Sequence, residues 1–344
     1  MRILVWHVHG GWMNAFLRGT HEYVVPRPDD EATPPHLPDR ARAVAESALR
    51  GEEVDLVVLQ RLEELEAVER LLGRVPGRDV PAVFVEHNTP KERPIDQRHP
   101  LAEQRAIPIV HVTHFNRLVW DSGDAPTAVI EHGVPDPGAL YTGALPALGV
   151  VVNEPVRRGR VTGTDLLPAF AEIAPLHAFG IDTDLLPGAL GLGPDRLQVV
   201  GDLPTPLLHG ELARRRAYLH PLRWTSLGLS LLEAMSLGMP VLILATTEAA
   251  RAVPPEAGAI SSDPDDLRAA ARTLMDDPDD ARRRGLAARA FARAHYGLER
   301  FLQDWDALFE EHVAAHAAAR RRRTRSLAGA TQPALVSIME GTDR

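Results

Sequence analysis

The sequence predicts an α/β chain in which two doubly wound parallel-sheet domains face a cleft. Three observations carry this expectation. Short apolar segments alternate with helical patterns along most of the chain, as in a parallel sheet covered on both faces. The alternation lapses once, over residues 135–146, where prolines stand at 135, 137 and 146. A length of 344 residues is enough for two separate cores.

In chain order, residues 2–8 form a first apolar strand, with further strands expected at 55–59, 82–86, 107–113 and 127–131. Helical patterns lie between them at 39–49, 62–72 and 101–105. Residues 26–38 read as a loop because their prolines oppose regular pairing. The lapse at 135–146 is a linker, which divides the chain into domains 1–145 and 146–317. In the second domain strands are expected at 149–153, 176–180, 197–201, 217–220 and 241–245. Helices are expected at 164–173, 206–214, 227–237, 264–275, 279–295 and 299–315. From about Ala318 the composition changes. Arg320 to Arg323 and Arg325 make a basic run, read as a solvated helix end passing into a disordered tail over 318–344, with weak peripheral contact to an anionic membrane, or attraction to a polyanion, as its functional alternative.

Bulk properties narrow the classes. Hydrophobic residues at 44% and charged residues at 25% suit a soluble globular protein. A net charge of −9 opposes general nucleic-acid binding, which needs a basic face. Without cysteine there are no disulfides or thiolate metal sites. The first residues lack the apolar run and cleavage site of a signal peptide, and no segment approaches the roughly 20 apolar residues of a membrane helix. A cytoplasmic protein is the expectation. Lys91 is the only lysine, so cationic work should fall to arginine.

Residues 218–245, YLHPLRWTSLGLSLLEAMSLGMPVLILA, hold the densest chemistry. They read as strand end, loop, helix, turn and buried strand. Thr225 and Ser226 are good N-cap residues, Gly238 suits a left-handed helix end, and Pro240 stops the helix. Glu233 is a carboxylate among Leu231, Leu232, Ala234 and Met235, where desolvation demands a partner. A helix opening on a loop with Gly228 can bind an anion through its free N–H groups. Glu233, two turns on, can accept from hydroxyls beside that anion. Phosphate and diol together describe a nucleotide sugar; the alternative is a core helix whose Glu pairs with an arginine.

The stretch resembles the donor-binding segment of glycosyltransferase family 4, the group 1 retaining enzymes. Gly228, Leu229, Glu233, Ala234, Met235, Gly238, Pro240 and Val241 match its pattern. His220–Pro221 stands where the family usually has Pro-Ser, and Thr225 occupies the position of the family's first carboxylate, which touches the transferred sugar. The resemblance implies that Glu233 binds the ribose. It also implies the GT-B fold, two Rossmann-like domains with the last long helix packed back on the first.

Three further stretches carry chemistry. Residues 153–170, NEPVRRGRVTGTDLLPAF, place Arg157, Arg158 and Arg160 after a strand, and the guanidinium fork suits phosphate oxygens. They are similar to the family's Arg-x4-Lys-Gly motif, with Arg157 on the Arg, Gly163 on the Gly and Thr162 in place of the lysine. Histidines 7, 9, 87, 111, 114 and 132 gather near strand ends, which suits packing, substrate contact or, lacking acidic partners at convincing spacing, least of all a metal. By the resemblance, Gly10–Gly11 is the glycine-rich loop and His87 contacts the transferred sugar. Residues 129–134, VIEHGV, are like the family's Ile-Pro-Asn-Gly-Val, and Glu248 follows the central motif near the donor or caps the next helix.

The expected activity is therefore hexosyl transfer from a nucleotide-diphosphate sugar to an unidentified glycan, lipid or small-molecule acceptor, with retention. The resemblance implies no divalent metal and no cofactor beyond the donor co-substrate. Donor contacts fall to Gly10, Gly11, Arg157, Arg158, Arg160, Thr162, Thr225, Gly228, Leu229, Glu233 and Glu248, with His87 and Arg157 closest to the chemistry. The alternatives are a sugar-nucleotide epimerase or phosphorylase on the same fold, or a non-catalytic GT-B protein that binds a glycan or partner.

Overall fold

A computed structural model describes residues 1–31 and 37–330, with side chains through Arg323. The first domain runs β1 (Arg2–Val5), α1 (Gly10–Phe16), β2 (Glu22–Arg27), β3 (Ala41–Ala45), β4 (Leu56–Leu59), α2 (Glu63–Leu72), β5 (Ala82–Glu86), β6 (Gln97–Arg98), β7 (Ile109–His111), α3 (His114–Val119), β8 (Trp120–Asp121) and β9 (Thr127–Val129). Its main sheet is parallel, in the order β3-β2-β1-β4-β5-β7-β9.

The second domain runs β10 (Leu145–Val151), α4 (Pro155–Arg158), α5 (Leu167–Ala171), β11 (Leu176–Phe179), α6 (Leu186–Leu190), β12 (Leu197–Gly201), α7 (Thr205–Leu212), β13 (Arg215–His220), α8 (Leu229–Leu237), β14 (Val241–Leu244), α9 (Ala249–Ala252), β15 (Gly258–Ser261), α10 (Pro264–Asp276), α11 (Pro278–His295) and α12 (Leu298–Ala330). Its sheet is also parallel, ordered β12-β11-β10-β13-β14-β15. Both sheets are wound in two directions from a central strand, which opens a ligand crevice beyond their carboxyl ends.

α12 returns to the first domain. Phe301, Trp305 and Phe309 are buried with Trp12, Met13 and Phe16, the Trp12 and Trp305 rings meeting edge to face at 5.8 Å. The basic run lies on the end of this helix, which runs through Ala330 and so extends into the stretch where a tail was expected to begin. The remainder of the tail, residues 331–344, lies outside the described residues.

Three expectations of local structure need correction. Residues 39–49 hold strand β3 and the start of a 3₁₀ turn (Glu46–Gly51), not a helix; pairing with β2 outweighs the helix propensity of the alanines. The loop expected at 26–38 begins later, because β2 continues to Arg27. Pro26 pairs with Val44 on the β3 side, beyond the last residue matched to β1, so its missing N–H breaks no ladder bond. The part of that loop at 32–36 lies outside the described residues. Residues 101–105 form turns between Pro100 and Pro108. An edge strand, β15, went unforeseen: its Gly258 lies so close to β14 that a Cβ would come within 1.8 Å of the Val241 carbonyl.

Candidate donor-binding cleft

The N-cap of α8 is Gly228, so neither Thr225 nor Ser226 caps the helix and the cap supplies no side-chain hydrogen bond. The amino end therefore stays open, as an anion site requires. The loop before it is held from beneath. Tyr218 Oη donates to Ser230 Oγ at 2.9 Å, and His220 Nδ1 lies 3.2 Å from the same Tyr218 oxygen. Burial holds His220 neutral, its pKa lowered to about 4. A Cβ at position 228 would meet His220 Cε1 at 2.7 Å, so this crossing requires glycine. Ser226 Oγ is buried without a hydrogen-bond partner, a polar atom left for a ligand or water.

The cleft has two compartments. The first, about 780 Å³, is lined by Asn153, Glu154, Arg157, Arg158, Trp224, Thr225, Ser226 and Leu227 from the second domain and by His9, His87, Asn88, Thr89 and Lys91 from the first. Arg157 is paired with Glu154, a residue in the left-handed backbone region (φ 53°). Arg158 makes no ion pair among the described residues, and its pKa is lowered by burial and then by Arg157. His87 Nε2 stands 3.0 Å from Gln60 Oε1, while Gln60 Nε2 donates to the Trp6 carbonyl at 2.8 Å. The amide oxygen can only accept, so His87 carries its proton on Nε2 and keeps the Nδ1 lone pair free. Burial, then His9 and His132, hold its pKa well below the usual imidazole value.

The second compartment, about 730 Å³, is lined by Gly10, Gly11, Asn14, Asp136, Thr205, His209 and Glu233, among others. Glu233 Oε2 lies 3.7 Å from His209 Nε2. No arginine pairs with it among the described residues, so the core-pair alternative lacks its partner. Between the compartments α1 meets α8: a Cβ on Gly11 would come within 2.9 Å of Leu229 Cδ1. A larger groove of about 900 Å³ lies beside α12 at the amino ends of β4 and β5, with Asp55 and Asp79 opposite Arg74 and Arg320. It is at the wrong end of the sheet for a ligand of this fold.

Five residues named from sequence line neither compartment: Gly228 and Leu229 at the start of α8, and Thr162, Arg160 and Glu248. Thr162 is buried and its hydroxyl donates to the Gly159 carbonyl at 3.0 Å. Arg160 turns outward to Asp165, which it shares with Arg223. Glu248 does not cap α9; its Oε2 accepts from the Phe115 backbone N–H. Conversely, Lys91, Glu154 and Trp224 were not singled out for the first compartment, nor His209 for the second. Lys91 follows the strand that carries His87, which was the one available signal; the others had none. Among the described residues, no group of three or more His, Asp or Glu has metal-binding geometry.

Similarity to known proteins follows the same lines. The chain aligns over 92% of its length with all of sucrose-phosphate synthase from Thermosynechococcus elongatus, at 17% identity and a TM-score of 0.70. It aligns over 92% with all of HepE from Anabaena, solved in complex with UDP-glucose, at 15% identity and a TM-score of 0.65. A glycosyltransferase from Rickettsia africae is covered to 98% by 91% of this chain, at 13% identity and a TM-score of 0.62. The fold is GT-B. Residues 189–291 of this GT-B chain match the family model for glycosyl transferases group 1, which takes in α8 and Glu233 but not the arginine loop. No curated protein sequence matches it. No helix among the described residues is long and apolar enough to cross a membrane.

Proposed function

We propose that the protein is a glycosyltransferase that moves a hexosyl group from a nucleotide-diphosphate sugar to an acceptor, with retention and without a divalent metal. One observation carries the reading: the uncapped start of α8 opens on a compartment holding an unpaired Arg158, with Glu233 in the adjoining compartment. A diphosphate suits the first and a ribose diol the second, so the donor bridges them past Gly11 and Leu229. The HepE structures with UDP and UDP-glucose support a donor of this class.

In this reading the acceptor hydroxyl attacks the anomeric carbon as the bond to the diphosphate breaks, and the leaving phosphate takes the hydroxyl proton. The chain holds the departing charge through helix N–H groups and arginine, and the His87 Nδ1 lone pair accepts from a sugar hydroxyl. Electrostatic organisation of this kind is usually the largest catalytic contribution. A metal is unnecessary where fixed cations already face the diphosphate. The exposed arginines at the end of α12 supply weak attraction to an anionic membrane.

The test is a thermal-shift screen of UDP-, GDP- and ADP-sugars, followed by transfer assays with and without a chelator. A donor that raises the melting temperature and is turned over in chelator supports the reading. Binding without transfer or donor hydrolysis would favour a non-catalytic GT-B protein, and activity restored only by Mn²⁺ or Mg²⁺ would refute the metal-free site.

A further inference from the structure

We propose that Lys91, the sole lysine, reaches from the first domain to the donor diphosphate and supplies the positive charge that position 162 lacks. This rests on the glycosyltransferase reading and adds a residue to it. Thr162 is neutral and spends its hydroxyl on backbone carbonyls, and Arg160 is committed to Asp165. Arg157 shares its charge with Glu154. Among the described residues of the second domain, only Arg158 is left without an ion pair in the compartment.

The structure brings Lys91 to the same compartment from the opposite wall. Its loop is held by both domains. Trp120 Nε1 of the first domain donates to the Asn88 carbonyl at 2.8 Å, and Trp224 Nε1 of the second donates to the Pro90 carbonyl at 2.8 Å. Pro90 is buried between them, while the next side chain, Lys91, is exposed and has no ion-pair partner among the described residues. Trp224 adjoins Thr225, so the indole that fixes Pro90 belongs to the loop leading into α8. An exposed ammonium on a fixed backbone, lining the same polar compartment as Arg158, gains only from an anion held there. Because the two cations come from different domains, full charge neutralisation requires the cleft to be closed.

One lysine permits a single-site test. The intact protein is treated with an amine-acylating reagent, alone and with saturating UDP, GDP or ADP, and modification at Lys91 is followed by mass spectrometry against the α-amino group as internal reference. A diphosphate that raises the melting temperature should slow Lys91 acylation at least about tenfold at ligand near 100 times Kd, whereas the parent nucleoside should not. Lys91→Ala should lower the single-turnover rate by about 10²–10³, as for loss of a preorganised donor to developing charge, and Lys91→Arg should restore much of it. If the diphosphate binds but Lys91 reacts at its free rate, or Lys91→Ala transfers like wild type, the proposal is overturned. If no nucleoside diphosphate binds at all, the glycosyltransferase reading fails and takes this proposal with it.

Discussion

The carboxylate of Glu248 accepts a hydrogen bond from the backbone N–H of Phe115 at 2.6 Å, so a second-domain side chain satisfies the first turn of a first-domain helix. Thr113 accepts from Asn116 in the same turn. Nearby, Arg251 joins Glu131 to Glu248, and the Trp224 and Phe115 rings meet edge to face at 5.6 Å. The domains are thus tied by directional bonds at one side of the cleft.

Glu248→Ala should therefore cost about 1–3 kcal/mol, because it strands a part-buried N–H, whereas Glu248→Gln keeps an acceptor and should cost little. Burial first, and Glu131 further, raise the Glu248 pKa. A raised carboxyl contributes stability that is full below the unfolded value and declines as pH rises through the folded one. Glu248→Gln should remove that decline. Urea titrations across the carboxyl range would check both statements; equal losses for the two variants would refute the tie.

Buried histidines set the acid limit. Burial lowers the pKa of His132 to about 4, with Arg300 and His9 adding to it, that of His220 to about 4, and that of His111 to about 3. Below about 6.5 the unfolded chain takes up protons that these folded imidazoles refuse. Stability present above that pH should be lost as pH falls from about 6.5 toward 4, at up to about 1.4 kcal/mol per pH unit for each histidine. His132→Asn should make the slope shallower. A stability that stays flat between pH 7.5 and 5 would mean that these rings are not held neutral.

The parts of the fold that were legible in the sequence are those where one local rule decides. α8, Gly238 and β14 follow from helix formers, a left-handed stop (φ 92° at Gly238) and a wholly apolar run. β3 was illegible because its alanines favour a helix until β2 pairs with them. The start of α8 was misplaced because Thr225 and Ser226 satisfy the cap rule equally well in sequence; the packing of Gly228 against His220 decides it. Lys91 was passed over because a single lysine leaves cationic work to arginine, and only the apposition of the domains brings it to the first compartment. Arg157, Arg158 and Arg160 look alike in sequence; the neighbouring Glu154 and Asp165 separate them.

Glu233→Ala should weaken nucleotide binding roughly 10- to 150-fold, the worth of a charge-assisted hydrogen bond of about 1.5–3 kcal/mol. The side chain lines the second compartment and, among the described residues, its one ion-pair partner is His209, at 3.7 Å, so the variant should fold as well as wild type. Calorimetry with the nucleoside diphosphate and a melting curve distinguish the outcomes. Unchanged affinity with a large drop in melting temperature would make Glu233 a structural partner of His209.

The three loop arginines should separate in single-turnover transfer at saturating donor, which isolates chemistry from binding. Arg158 is half-buried in the first compartment without an ion pair among the described residues, so it meets the diphosphate with its full charge. Arg158→Ala should lower the rate by about 10²–10³, the usual loss on removing a preorganised donor to developing charge. Arg157 lines the same compartment, and Arg157→Ala should cause a similar loss while also leaving Glu154 without its partner to repel the phosphates. Arg160 points to Asp165, which Arg223 also holds at 2.6 Å. Its removal leaves that carboxylate paired, and an exposed ion pair is worth little. Arg160→Ala should therefore keep both the rate and the melting temperature of wild type. An Arg160→Ala rate as low as that of Arg158→Ala would mean that the loop turns over when the donor binds, and the assignment of charges to the cleft would have to be redrawn around Arg160.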